Sequence, residues 1–388
     1  MYFSLLWTTK TLERDTLARQ KTIAKTSEKI GTGKNVSSSR LELAANIAMS
    51  EIIGLREGEE VLIVTNFDCD GLIISRALFD ATKVLGGKPV MVIQEKKKLF
   101  DNAERLVLET MKAQPDVILS LSAFSGGKDP YGMSIGYIGR DGKKYSSILN
   151  KLLVGDRKIR SFWSPQVTVD MFERCVPIDY ASMYKTAGRL SRILNSGKEV
   201  RLVSKSGTDA VISIDSRKAL GDDRPFDIPG IGGNLPCGEV FISPKIEGVT
   251  GTFVFDGTIT LDNSTVIPKR HVKVTMKDGY VDEISGGEEA KMLLNVVRKG
   301  ELMAREQNNR DLERNARHIG ELGIGLNPAA KMTGNLLEDE KLLKTVHIAI
   351  GSNYDFDANA LIHQDCLIKE PDMWVDGRHI MKKGVLSV

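Results

Sequence analysis

The stretch from Glu59 to Gln94 constrains the fold of this chain more than any other, because it sets a strand, a helix and a second strand in direct succession. "EEVLIVTNF" is a continuous apolar run, "GLIISRALFDATKVLG" has the length and spacing of a helix closed by glycine, and "KPVMVIQ" is another apolar run. Such a unit implies parallel pairing, with the helix covering one face of the sheet. "PDVILSLSA" at 115–123 and "KIRSFW" at 158–163 read as further buried strands of the same sheet. Ahead of them, "SSRLELAANIAMSEIIGLR" at 38–56 reads as a helix that serine can cap. The first half is therefore expected to be an α/β domain with a mostly parallel sheet.

Near residue 197 the pattern changes. From "GKEVRLVSKSGTDAVISID" onward, short segments alternate apolar and polar residues between SG, DG and GG turns, which signals antiparallel structure. One amphipathic helix, about 287–318, interrupts them. A chain of 388 residues is long enough for two cores. The expected organisation is an α/β domain over 1–197 with a basic N-terminal arm, then a β-rich α+β domain over 198–388.

Composition narrows the function classes. A hydrophobic fraction of 41% with 27% charged residues describes a globular chain, not a disordered one. Cys69, Cys175, Cys237 and Cys366 form no CxxC pair, which argues against a disulfide framework or a thiolate zinc site and suggests a reducing, cytoplasmic setting. No segment has the length of a membrane span, and the N-terminal apolar run is too short for a secretory signal. The first 40 residues hold eight Lys or Arg against three Asp or Glu, but they lack interleaved aromatic residues. This arm reads as a solvated helical face, with neither nucleic acid nor membrane expected as a partner.

Two places carry candidate chemistry. The first is "NFDCDG", which puts Asp68 and Asp70 at the carboxyl end of a strand, where open α/β sheets bind ligands. It looks like the aspartate loop of haloacid-dehalogenase-type phosphatases or of DHH phosphoesterases and motivates a metal-dependent phosphoesterase as one alternative. No histidine occurs before His271, however, and the acidic "DDRP" at 222–225 falls in the other half. An acidic turn in which Asp caps the following helix accounts for the loop more simply.

The second place holds the histidines, all five of which lie in the C-terminal half. His271 reads as part of an exposed strand, His318 as a helix-end residue whose positive form suits the dipole, and His379 as part of a terminal hairpin. "ALIHQDCLI" differs, because His363 and Asp365 at i and i+2 share one face of an apolar strand. A core histidine with its acceptor and a pair of metal ligands both fit this pattern. In "TVHIAIG", His347 shares a face with Ala349, which is small enough to leave room beside it. Glu321 in "HIGELGIGLNP" and Glu239 in "NLPCGEVFISP" stand among apolar residues and glycines, where an unpaired carboxylate is costly. "GNLLEDEKLL" adds Glu338, Asp339 and Glu340 ahead of His347. Carboxylates with imidazoles and no thiolate suit divalent cations such as zinc, cobalt or manganese, and two such cations can clamp a water for hydrolysis.

In order, "NLPCGEVFISP", "GELGIGLNP", "TGNLLEDEKLLKTVHIAIGSNY" and "IHQD" resemble the thermophilic metalloprotease family, the group of aminopeptidase T, aminopeptidase S and PepS. The resemblance implies a homodimeric, dimetal aminopeptidase acting on peptides, with metal ligands at Glu239, Glu321, Glu340, His347, His363 and Asp365. It also implies that Glu321 bridges the metals and that the Tyr354 hydroxyl stabilises the oxyanion. The ring-cleaving dihydroxypyridine dioxygenases look similar over the same domain. That alternative implies one iron on His347, His363 and Asp365.

Overall fold

The computed structural model describes residues 39–388 except 68, 99, 100, 263 and 356, so Asp68 and nearly all of the basic arm lie outside the described residues. The strand–helix–strand unit forms as its pattern requires: β1 (Glu60–Asn66), a helix over Asp70–Val84 and β2 (Lys88–Gln94), paired parallel from Glu60 opposite Lys88 to Asn66 opposite Gln94. β3 (Val117–Leu121) joins the other side of β1, and β4 (Arg160–Trp163) follows it, both parallel. Val61 and Ile63 pack into the main core, whereas Leu62 and Val64 pack into a second cluster with Val107, Met111, Ile118 and Leu152. Burial of both faces explains why these strands read as apolar runs without alternation.

The sheet has a fifth strand from well beyond residue 197. β5 (Gly232–Asn234) lies parallel to β4, giving the order β5-β4-β3-β1-β2. "GGN" has no side-chain pattern that announces a strand. Its place is set by the backbone groups that the β4 edge offers.

After residue 197 the chain builds two antiparallel sheets. One is eight-stranded and includes Glu199–Val203, Asp209–Ser213, Val249–Phe255 and the C-terminal hairpins. The other is centred on β6 (Glu239–Ile242), β7 (Ile319–Gly325), β8 (Thr345–Gly351) and β9 (His363–Lys369), consecutive and antiparallel in that order. Every residue of β7 and β8 is buried. Val346, Ile348 and Ile350 enter the main hydrophobic core, so the opposite face, bearing His347 and Ala349, is left for polar work. Among the described residues no helix is long and apolar enough to cross a membrane.

Two local readings change. Asp70 opens its helix but does not cap it: its carboxylate accepts a hydrogen bond from the Val169 N–H at 2.9 Å, at the start of a different helix, Val169–Cys175. His318 is fully buried, and neither ring nitrogen has a hydrogen-bond partner. Burial, with Arg217 and Arg314 nearby, lowers its pKa to about 4, so it is a neutral core residue and no cationic partner for a helix end.

Candidate metal centre

Strand register gathers the sequence candidates. Glu239 on β6, Glu321 on β7, His347 on β8, and His363 with Asp365 on β9 all project from one face of the sheet. Asp365 lies opposite Ala349, and Ala349 opposite Glu321, so one methyl group separates two carboxylates across three strands. His347 lies opposite Gly323, and a Cβ at Gly323 would overlap the His347 Nε2. The imidazole can lie across β7 toward Glu321 only because that position has no side chain.

The donor atoms are closely set. Glu321 places Oε1 3.0 Å from His347 Nε2 and Oε2 3.3 Å from His363 Nε2, while Asp365 Oδ1 lies 3.4 Å from the same His363 nitrogen. Glu239 Oε2 is 3.6 Å from His347 Nε2. The cluster thus divides into Glu239, Glu321 and His347 on one side and Glu321, His363 and Asp365 on the other, with Glu321 common to both. His347, His363 and Asp365, the set expected for a single iron, do not converge by themselves: Glu321 stands between the two imidazoles, and His347 groups with Glu239 while His363 groups with Asp365.

Burial acts to raise the Glu321 carboxyl, but hydrogen bonds from His347 and His363 outweigh it and hold it down to about 2. Burial opposes charge on His347, yet the bond to Glu321 and its negative charge lift the imidazole to about 9. His363 is lifted well above its usual range against the same burial cost, first by Asp365. Positive charge on the imidazoles can supply the counter-charge that these carboxylates need.

The arrangement fits a cation better than it fits a closed network. The His363 Nδ1–H donates to the Ser352 carbonyl at 2.9 Å, which directs Nε2 into the cluster, the usual orientation of a metal-binding imidazole. Glu239 Oε2 is buried without a hydrogen-bond partner. An orphaned carboxylate oxygen beside imidazole nitrogens and further carboxylates is a donor set suited to a divalent transition metal.

Two features escaped the motif reading, Lys341 and the use of Asp222, and they change the place of Glu340. Lys341 is 1% exposed, and its ammonium binds Glu239 Oε1 as well as Glu340 Oε1, the latter at 2.6 Å. Its charge stays fixed, since Glu239 and Glu340 overcome the cost of burial. Glu340 is therefore held by Lys341 and belongs to neither donor group, and burial lifts its carboxyl to about 7. Asp222, from the "DDRP" segment, accepts hydrogen bonds from the Gly238 and Glu239 N–H groups at 2.6 and 3.2 Å and so fixes the start of β6. Of the neighbouring acids, Glu338 pairs with Arg174 at 2.7 Å, and Asp339 binds the Thr258 hydroxyl and the Thr333 and Gly334 N–H groups.

Tyr354 stands at the margin of the cluster, its ring centroid 5.0 Å from Phe241 and 5.4 Å from His363. Desolvation, and then the charges of Glu321 and Asp365, push its hydroxyl well above the ordinary tyrosine range, so it remains a proton donor. His271 is exposed, and His379 stacks on Trp374 and binds Asp372 at 3.0 Å, both away from the cluster.

A protein-family model described as "NicX: 2,5-dihydroxypyridine 5,6-dioxygenase" matches residues 47–388, a span that includes every residue of the cluster. Among solved structures, the 2,5-dihydroxypyridine dioxygenase of Pseudomonas putida KT2440 superposes with a TM-score of 0.67 at 16% identity, covering 91% of this chain and 99% of that one. The wild-type AmpT of Thermus thermophilus gives 0.62 at 17% identity, covering 90% of this chain and 99% of that one. Identities this low establish a shared fold. No curated protein sequence matches the chain.

Proposed function

Because the chain belongs to the NicX, or 2,5-dihydroxypyridine 5,6-dioxygenase, family, we propose that it is a metal-dependent dioxygenase that opens the ring of a dihydroxylated nitrogen heterocycle. The observation that supports this most is the family match across residues 47–388, which carries the whole of the Glu321, His363 and Asp365 group. Both atoms of dioxygen enter the product as one ring bond breaks, so the substrate itself is the reductant. A redox-active divalent metal such as iron, bound by imidazole and carboxylate, supplies electron transfer between ring and oxygen.

The residues of the chain have separable tasks in this reading. His363, Asp365 and Glu321 hold the metal, and the Ser352 carbonyl keeps the His363 ring in its binding orientation. His347, against the other oxygen of Glu321, would keep that carboxylate oriented toward the metal. The Tyr354 hydroxyl, which keeps its proton, can donate a hydrogen bond to an oxygen of the bound ring.

A dimetal aminopeptidase is the second reading, and one observation favours it: Glu321 is shared by two donor groups, as a metal-bridging carboxylate would be. Glu239, Glu321, His347, His363 and Asp365 then hold zinc, cobalt or manganese, and Tyr354 faces the oxyanion of a peptide.

Oxygen uptake separates the two. Protein reconstituted anaerobically with ferrous iron and mixed with dihydroxypyridines in air should consume dioxygen in step with loss of the ring's ultraviolet absorbance. Release of p-nitroaniline from aminoacyl p-nitroanilides with cobalt, manganese or zinc, and no oxygen uptake with iron, would reverse the order of the readings.

A further inference from the structure

The two halves of the cluster share Glu321 but not their surroundings. His363 and Asp365 face each other and Glu321, and among the described residues no lysine or arginine pairs with them, whereas Glu239 already has an ammonium. Lys341 binds one oxygen of Glu239, and the other, Oε2, lies 3.6 Å from His347 Nε2 with no hydrogen-bond partner. The Lys341 side chain is 1% exposed, and those of Glu239 and Glu340 are 12% and 13% exposed. Water has little access to screen these charges.

A buried ammonium held by two carboxylates cannot leave without stranding both of them. A divalent ion on Glu239, Glu321 and His347 would bind the same carboxylate that Lys341 holds, so two cations would meet across a single acidic group in a poorly screened site. The second half carries no such conflict. We propose that Lys341 is the resident cation of the Glu239 half, taking the electrostatic place of a second metal, so that the cluster accepts one metal at Glu321, His363 and Asp365. Removing the ammonium then opens a second metal position at Glu239, Glu321 and His347.

This inference rests on reading the cluster as a metal centre, but not on which reaction that centre performs. It assigns Lys341 a role in setting metal number that a purely structural ion pair would not have. Manganese(II) is the probe, because a coupled pair and a single ion give different electron paramagnetic resonance spectra, while elemental analysis counts equivalents per chain.

The full chain should bind one equivalent and show the spectrum of an isolated ion. Lys341→Met should bind two and show a coupled pair, and adding Glu239→Gln to that variant should return the count to one. Two equivalents in the unaltered protein would overturn the proposal, as would a folded Lys341→Met chain that still binds one. If Lys341→Met does not fold, Glu239→Gln alone decides: one retained equivalent supports the proposal, and loss of manganese binding overturns it. Absence of oxygen uptake in the iron-loaded protein would remove the dioxygenase reading while leaving the manganese count to stand or fall separately.

Discussion

The Asp70 turn and the carboxylate cluster on β6–β9 begin as similar sequence signals, acidic residues in or beside apolar strands, and the fold uses them differently. Asp70 gives its carboxylate to a backbone N–H of a neighbouring helix, Val169 at 2.9 Å. Glu321 gives both oxygens to side chains that are themselves metal ligands by type, His347 and His363. An acid that satisfies the backbone fixes packing, whereas one that faces other titratable groups in a buried space is available to bind a cation. What distinguishes a site from a cap is therefore the partner, and only strand register reveals it.

The sharpest way to break this contrast is to remove an imidazole. His363→Ala should abolish metal binding and lower turnover by about 1,000-fold or more, the scale of several kcal/mol of metal-derived stabilisation. Metal analysis beside oxygen-uptake kinetics checks it, and a variant that retained both would move the site elsewhere. A chelator should have the same effect on the unaltered protein, reversed by adding iron.

His318 provides a histidine of the opposite kind, buried without partners and held neutral. Its folded pKa is lowered to about 4 from 6.5, so the unfolded chain binds the extra proton between those values. Its contribution is unpenalised above about pH 6.5 and falls as the pH drops toward 4, costing at most about 3 kcal/mol. Denaturant melts of the unaltered protein and His318→Phe across that window should converge as the pH rises; parallel curves would mean that the imidazole is protonated without cost.

Gly323→Ala tests register directly. The added methyl would overlap His347 Nε2, so the ring must rotate out of the cluster or the strands must separate. A loss of about 1–3 kcal/mol is the usual cost of overpacking, accompanied here by weaker metal binding. Unchanged stability and metal affinity would show that β7 and β8 can shift to accommodate it.

The parts that could be read from sequence are those in which one residue's neighbours fix its environment. β1, β3 and β4 announce themselves because both faces are buried, and "IHQD" announces a two-ligand face because strand parity is local. β5 could not be read, since its "GGN" contains no pattern and its partner is some 70 residues away in the chain. Lys341 was hidden by context: in "EDEKLLK" a lysine beside acids looks like a solvated face, and only the fold carries it beneath Glu239. His318 was misread for the same reason, as its burial comes from tertiary packing and not from its place after a helix.

The smallest expected effect lies at Asp70, and its smallness matters. Asp70→Ala removes the acceptor for the Val169 N–H at the start of the Val169–Cys175 helix, where Thr168 already accepts from Met171 N–H at 3.2 Å. Loss of one helix-start acceptor with another in place should cost about 1 kcal/mol, measured as a lower denaturant midpoint with an unchanged slope. Metal content and turnover should stay as they were, because among the described residues no member of the cluster forms a hydrogen bond or ion pair with this turn. A loss of activity larger than the loss of folded protein would instead tie the Asp70 turn to catalysis and erase the contrast between the two acidic regions.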